Sequence, residues 1–229
     1  MDLDQYWIRI LSMEPIYEPE PDFAVPFYDF AERFQSLQRH WEISKDSQSR
    51  HLSNLRGVEC DSAEEEDLHY EMTSSDSEHL PEYLRLSTIS IAFSLFENFL
   101  GELCDYISSE KGLVLTLDER RMPYAEKYLL WLAKGCGFEL SIPKELRKRI
   151  DAGREMRNRF VHRISRDIPE EIQEVIQNMI SGTSRSDIGV TNEFVDLVLE
   201  DVSDLVKKIE MSYWKFEKSY PLKNEDEIK

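Results

Sequence analysis

The sequence has few of the residues that stabilise small extracellular or turn-rich folds. It holds three cysteines and eight glycines in 229 residues. The cysteines, Cys60, Cys104 and Cys136, are too widely spaced for a disulfide framework or a zinc site. So few glycines disfavour an all-β fold with many turns. We therefore expect a reduced, cytoplasmic protein.

Long apolar runs are also missing. The most apolar stretch, residues 89–103, is interrupted by Ser94, Glu97, Asn98 and Glu102, and is too polar to cross a bilayer. The first residues are acidic and lack the basic-then-apolar order of a secretory signal. These features predict no membrane partner.

Positive charge is scarce, with 28 Lys and Arg against 46 Asp and Glu and a net charge of −18. Such a surface disfavours broad binding to nucleic acid, although one focused cleft remains open to it. The exception is residues 141–166: between Lys144 and Arg166 there are nine Lys or Arg and only three Asp or Glu. A basic segment in an acidic chain indicates a polyanionic ligand as the first hypothesis.

Apolar residues recur at spacings of three and four along most of the chain, which is the period of an α-helix. No stretch alternates apolar and polar residues for long enough to predict a strand. We therefore predict an all-α fold, a helical bundle of four to five main helices with an N-terminal helical extension. Three of the predicted helices span 23–55, 81–111 and 123–134. A fourth begins at Pro143, and a fifth begins at an N-cap at Thr191 or Asn192.

The division into domains follows from a change of composition after the first helix. Residues 57–79 hold nine acidic residues and no Lys or Arg, which is typical of a solvated loop. We predict an N-terminal helical extension at 1–56, an acidic linker or loop at 57–80, a bundle at 81–220 that Pro81 opens, and a tail at 221–229.

On a helical wheel the basic segment has two faces of interest. Arg157 falls inside an apolar face, where an unpaired guanidinium is costly. Asn158 and His162 share a second face. On the wheel, the direction of His162 is about 140° from that of Arg157. The apolar face is predicted to comprise Leu146, Ile150, Gly153, Phe160, Val161 and Ile164, with Gly153 allowing a neighbouring helix to approach closely.

This placement leaves alternatives for both residues. Arg157 and His162 can serve one site only if the helix distorts near Phe160 or if the site lies between two copies, which favours a homodimer. Arg157 is otherwise a structural partner of Glu97 inside the bundle. His162 is otherwise a histidine that favours the C-terminal end of its helix dipole.

The order Arg157-Asn158, three further residues and His162 resembles the R-x4-H motif of the HEPN domain family. The likeness extends over residues 81–220: a long helix with Phe96-Glu97 at its middle, an aromatic-rich helix, then the motif helix. Arg33 and His40 also stand at a spacing that the motif allows, but Phe34 follows that arginine.

The HEPN resemblance implies a metal-independent endoribonuclease that works as a homodimer, as in toxin–antitoxin pairs and phage-defence effectors. RNA would be the substrate, and an antitoxin or other regulatory protein a partner. The resemblance assigns catalysis to Arg157, His162 and Asn158 and gives Glu97 a supporting role. By their charge, Arg154, Arg159 and Arg163 are expected to bind RNA phosphates.

The residue chemistry agrees with that expectation. RNA carries its own nucleophile, the 2′-hydroxyl, so cleavage requires proton transfer and charge stabilisation, which histidine and arginine supply. The sequence has no metal-ligand spacing and no glycine-rich phosphate loop, and we expect no cofactor. Two other classes stay open: a catalytically silent HEPN-like nucleotide- or partner-binding module, and an acidic inhibitor or adaptor protein.

Overall fold

The computed structural model describes residues 12–19, 24–58, 62–117, 122–163 and 190–219. Within these ranges the chain forms α-helices and no strand, which confirms the predicted all-α bundle. None of the described helices is long and apolar enough to cross a membrane. The helices are α1 (Val25–Arg56), α2 (Ala63–Lys111), α3 (Tyr124–Gly135), α4 (Lys144–Arg163) and α5 (Asn192–Ser219).

Local chemistry fixes several helix ends at the predicted places. The Thr191 hydroxyl accepts a hydrogen bond from the backbone N–H of Phe194 at 3.2 Å, so Thr191 caps α5. Gly112 ends α2 in the left-handed region, at φ 63°, where glycine meets no Cβ penalty. Both ends confirm the sequence-based predictions.

The predicted acidic loop at 57–80 is wrong from residue 63 onward. The Ser62 hydroxyl accepts from the N–H of Glu65, and α2 then runs unbroken to Lys111, with Pro81 inside it rather than at its start. The physical reason is that the acidic run which suggested a loop also suits a helix start. Glu64, Glu65 and Glu66 occupy the first turn, where the helix dipole favours negative charge.

The hydrophobic core is one continuous cluster to which α1, α2 and α5 contribute most of the large side chains. Phe27 of α1 packs edge-on against Phe99 of α2, with ring centroids 5.2 Å apart. The Trp41 indole donates to Asp196 of α5 at 2.7 Å. Helix α1 therefore shares the core of the predicted bundle. The wider domain division stays a prediction, and the tail at 221–229 lies outside the described residues.

Candidate functional site

Helix α4, which carries the motif, is held close against α2 and α5. A Cβ added at Gly153 would lie 2.7 Å from Cε2 of Phe93 and 3.4 Å from Cγ2 of Val198, so only glycine permits this approach. Arg149 donates two hydrogen bonds to the buried carboxylate of Asp201, the Nε–Oδ2 bond being 2.7 Å long. The close approach predicted at Gly153 is confirmed, and the paired charges fix the register of α4 on α5.

The buried face of α4 is rotated from the predicted one. Ala152 and Met156 are buried along with Leu146 and Gly153, whereas Val161 is 52% exposed. Placing Val161 in the apolar face was therefore wrong, because the face of α4 that packs against the core passes through Ala152, Gly153 and Met156. Ile150 and Phe160 are half-buried, and Ile164 lies outside the described residues.

Arg157 consequently lies at the edge of the buried face, with 24% of its side chain exposed. Its Nη2 lies 3.5 Å from Oε2 of Glu97, and its Nη1 donates to Oδ1 of Asn158 at 3.0 Å. The predicted pairing of Arg157 with Glu97, which was based on the position of Glu97 beside the apolar stripe of the neighbouring helix, is confirmed. Glu97 and Asn158 together hold the guanidinium in one orientation.

The guanidinium of Arg157 retains hydrogen-bonding capacity. Arginine has five N–H donors, and within the described part of the chain two of them meet an acceptor. The enclosed Nε–H is one of the donors without an acceptor there. A part-exposed ion pair at 3.5 Å is also weak. An incoming anion can therefore share or replace Glu97.

Tyr128 of α3 is a further polar side chain near Glu97. Burial and the nearby carboxylates, Glu97 among them, raise the pKa of its hydroxyl. A Cβ added at Gly101 would lie 3.3 Å from the Tyr128 hydroxyl oxygen, so glycine makes room for it. The hydroxyl stays protonated at neutral pH. The signal that could have found it was its position in the aromatic-rich helix that precedes the motif.

The predicted phosphate-binding arginines are largely neutralised within the chain. Arg154 contacts Glu126 at 2.9 Å and Asp151 at 3.3 Å, and Arg159 contacts Glu155 at 3.1 Å. The side chain of Arg163 lies outside the described part of the structure. These pairs are part-exposed, so they are inexpensive to open, but the basic segment carries less free charge than its composition suggests.

The backbone of His162 lies in the last turn of α4, and its side chain is outside the described part of the structure. Helix α4 runs without interruption from Lys144 to Arg163. The distortion near Phe160 that would bring His162 beside Arg157 is therefore not found. Positions five apart on a regular helix point about 140° apart. A groove between two copies remains as the way to unite them.

The second arginine–histidine pair, Arg33 and His40, lies on one face of its helix. Arg33 and His40 both line a surface cavity of about 490 Å³ between α1 and α2, because residues seven apart share a helix face. Two carboxylates flank the arginine: Glu32 lines the same cavity, and Oε1 of Glu102 lies 3.2 Å from Nη1 of Arg33. This local excess of negative charge disfavours an anion, and the α4 site remains the better candidate.

Comparisons with protein-family models, curated proteins and solved structures found no match. The HEPN resemblance therefore depends on the motif residues and their helices. In the described ranges, no three His, Cys, Asp or Glu side chains are grouped as a metal site would require. What the geometry defines is a part-exposed arginine, oriented by a carboxylate and an amide, on a helix that carries a histidine further along.

Proposed function

We propose that this protein is a metal-independent endoribonuclease with Arg157 and His162 in a cleft between two copies of the chain. The observation that carries the proposal is the Arg157 guanidinium, which is oriented by Glu97 and Asn158 and keeps one further N–H on each of Nη1 and Nη2. A guanidinium held in place stabilises developing phosphate charge without reorganising during the reaction.

The reaction follows from the chemistry of RNA. His162 accepts the proton of the 2′-hydroxyl, and the 2′-oxygen forms a bond to phosphorus while the bond from phosphorus to the 5′-oxygen breaks. The departing 5′-oxygen takes up a proton from water. Arg157 holds the non-bridging oxygens as their charge increases. The products are a 2′,3′-cyclic phosphate and a 5′-hydroxyl.

Two copies are required because of the helix geometry. A regular α4 directs Arg157 and His162 about 140° apart, so neither copy alone aims both at one phosphate. In a two-fold dimer, Arg157 of each copy faces His162 of the other. We place the enzyme in the cytoplasm, as a toxin or defence effector with an antitoxin or other regulatory partner, on the strength of the HEPN resemblance.

The test is cleavage of RNA by purified protein in EDTA, with mapping of both product ends. Wild-type protein is expected to cleave and to leave cyclic phosphate and 5′-hydroxyl ends. Arg157→Ala and His162→Ala are expected to be inactive. The matched controls are Arg33→Ala, from a similar part-exposed ion pair, and exposed His40→Ala, both on α1.

Several outcomes would refute the proposal. Cleavage that EDTA abolishes would assign the chemistry to a metal ion. Cleavage that survives Arg157→Ala and His162→Ala but is lost in the two control variants would move the site to the α1 cavity. The proposed biological role has a separate test. Expression of the wild-type protein is expected to be toxic to the host cells, and expression of the His162→Ala variant is not.

The acidic start of α2 favours a second candidate, an inhibitor or adaptor that docks on a basic partner. Residues 63–68 are all exposed, and they include Glu64, Glu65, Glu66 and Asp67. Under this alternative, the protein forms a salt-sensitive complex with a basic partner and cleaves no RNA. Substitution of those four residues by Gln would then weaken the complex, whereas it would leave an Arg157-dependent nuclease active.

A further inference from the structure

A second cleft, of about 410 Å³, lies between helix α3 and the segment that follows α2. Helix α3 supplies an indole ring and two amino groups to one side of the cleft, and the segment after α2 supplies apolar side chains to the other. Its volume falls in the range of small-molecule sites in proteins. The residues that matter are Val114, Thr116, Leu117, Lys127, Trp131 and Lys134.

The aromatic wall is fixed in place. The Trp131 indole N–H donates to the carbonyl of Val114 at 3.2 Å, and the side chain is 6% exposed. A Cβ added at Gly135 would lie 3.1 Å from the indole nitrogen, so glycine leaves room for the ring. Val114 is 82% exposed at the mouth of the cleft. An apolar ligand thus meets the small exposed part of a rigid indole ring beside the exposed side chain of Val114.

Lys127 and Lys134 flank Trp131 on the same face of α3, because they are seven positions apart. Neither forms an ion pair within the part of the chain that the structure describes. The Lys127 ammonium lies 5.5 Å from the centroid of the Tyr124 ring, a contact that is weak when exposed to solvent. In a chain of net charge −18, two such lysines beside an aromatic wall suit an anion.

We propose that this cleft binds a small phosphomonoester that carries a planar ring. The phosphate lies between the two amino groups, since a phosphate offers three acceptor oxygens and up to two negative charges. The ring lies along the apolar wall made by Trp131, Val114 and Leu117. The site is on α3, separate from the α4 motif, and does not depend on the ribonuclease activity proposed above.

The experiment is calorimetric titration of the full chain with adenosine 5′-monophosphate, adenosine and inorganic phosphate. AMP is expected to bind with one site per chain, and each of the other two at least about tenfold more weakly. Lys127→Gln and Lys134→Gln are each expected to raise the Kd for AMP about tenfold, and Lys127→Arg to retain binding. The control is Lys215→Gln, an exposed lysine of α5.

Three results would overturn the proposal. The first is that AMP does not bind the wild-type chain, and the second is that inorganic phosphate binds as tightly as AMP, which would leave the ring no role. Binding that persists in the folded Lys127→Gln/Lys134→Gln variant but disappears in Arg157→Ala would place the ligand at α4. Because this experiment measures binding and not cleavage, failure of the AMP-site proposal can be distinguished from failure of the nuclease proposal.

Discussion

Arg157 is the residue at which fold and proposed chemistry meet. It is anchored to Glu97 by a long ion pair of 3.5 Å and to Asn158 at 3.0 Å, and a quarter of its side chain is open to solvent. Arg149 forms a tighter pair, with two hydrogen bonds to the carboxylate of Asp201, a side chain that is 5% exposed. The two arginines of this helix therefore differ in the number and length of their contacts with the partner carboxylate, and the looser pair is the one that the proposed function uses.

The first prediction therefore concerns Arg157→Lys. Lysine keeps the charge but lacks the planar, multiply donating group, so cleavage is expected to fall about 100-fold or more while stability changes by less than about 1 kcal/mol. Single-turnover cleavage and thermal unfolding measure the two effects. A large fall in stability with cleavage intact would show that Arg157 has only a structural role.

The second prediction concerns the two described thiols, Cys104 and Cys136, both buried. Burial raises the pKa of Cys136 to about 11 and also raises that of Cys104. At pH 8 only about one Cys136 in a thousand is then thiolate, the reactive form. In a Cys60→Ser background, which removes the cysteine outside the described residues, both thiols should react with Ellman's reagent only after unfolding. Rapid reaction in the native protein would contradict the described packing.

At the scale of the helix, the position of α4 depends on one missing side chain. Gly153→Ala is expected to destabilise the protein by about 1–3 kcal/mol, because its Cβ would overlap the Phe93 ring at 2.7 Å. Gly57→Ala is the matched control, since a Cβ there would meet only ordinary contacts at 3.7 Å. Denaturant unfolding measures both, and equal stabilities would contradict the close packing of α4 on α2.

Helix α2 supplies the fourth prediction. Pro81 lies inside the helix, where it removes one backbone hydrogen bond and crowds the preceding turn. Pro81→Ala is expected to stabilise the protein by about 1–3 kcal/mol. Pro143→Ala, just before α4, is the control and should be near neutral, because a helix start does not need that N–H. If the Pro81→Ala protein is less stable than wild type, the helix is better described as ending before residue 81 and starting again there.

The helices themselves could be predicted from the sequence because the apolar residues of α1, α3 and α5 recur at the helical period. The start of α2 could not, because its acidic residues suit both a solvated loop and an exposed helix face. The pairing of Arg157 with Glu97 could be predicted, since both lie beside apolar stripes that must face each other. The rotation of α4 could not, because it depends on how closely Gly153 approaches Phe93.

At the scale of the whole molecule, the acidic surface and the basic helix have opposite consequences for RNA. A net charge of −18 repels a polyanion at long range, so binding must depend on contacts made close to α4. Several of the α4 cations already have acidic partners, and the proposed binding of RNA requires these pairs to open or reorganise. A dimer cleft would concentrate the remaining positive charge from two chains at one place.

The most direct test of the two-chain site is to mix two inactive variants, Arg157→Ala and His162→Ala, and to assay RNA cleavage in EDTA. Mixed dimers contain one cleft in which Arg157 from one chain meets His162 from the other. We expect that neither variant cleaves alone and that the mixture, after subunit exchange, recovers about a quarter of wild-type activity, because random pairing makes half of the dimers mixed and each mixed dimer has one of two sites intact. Exchanged mixed dimers that remain inactive, beside wild-type protein that cleaves, would contradict it.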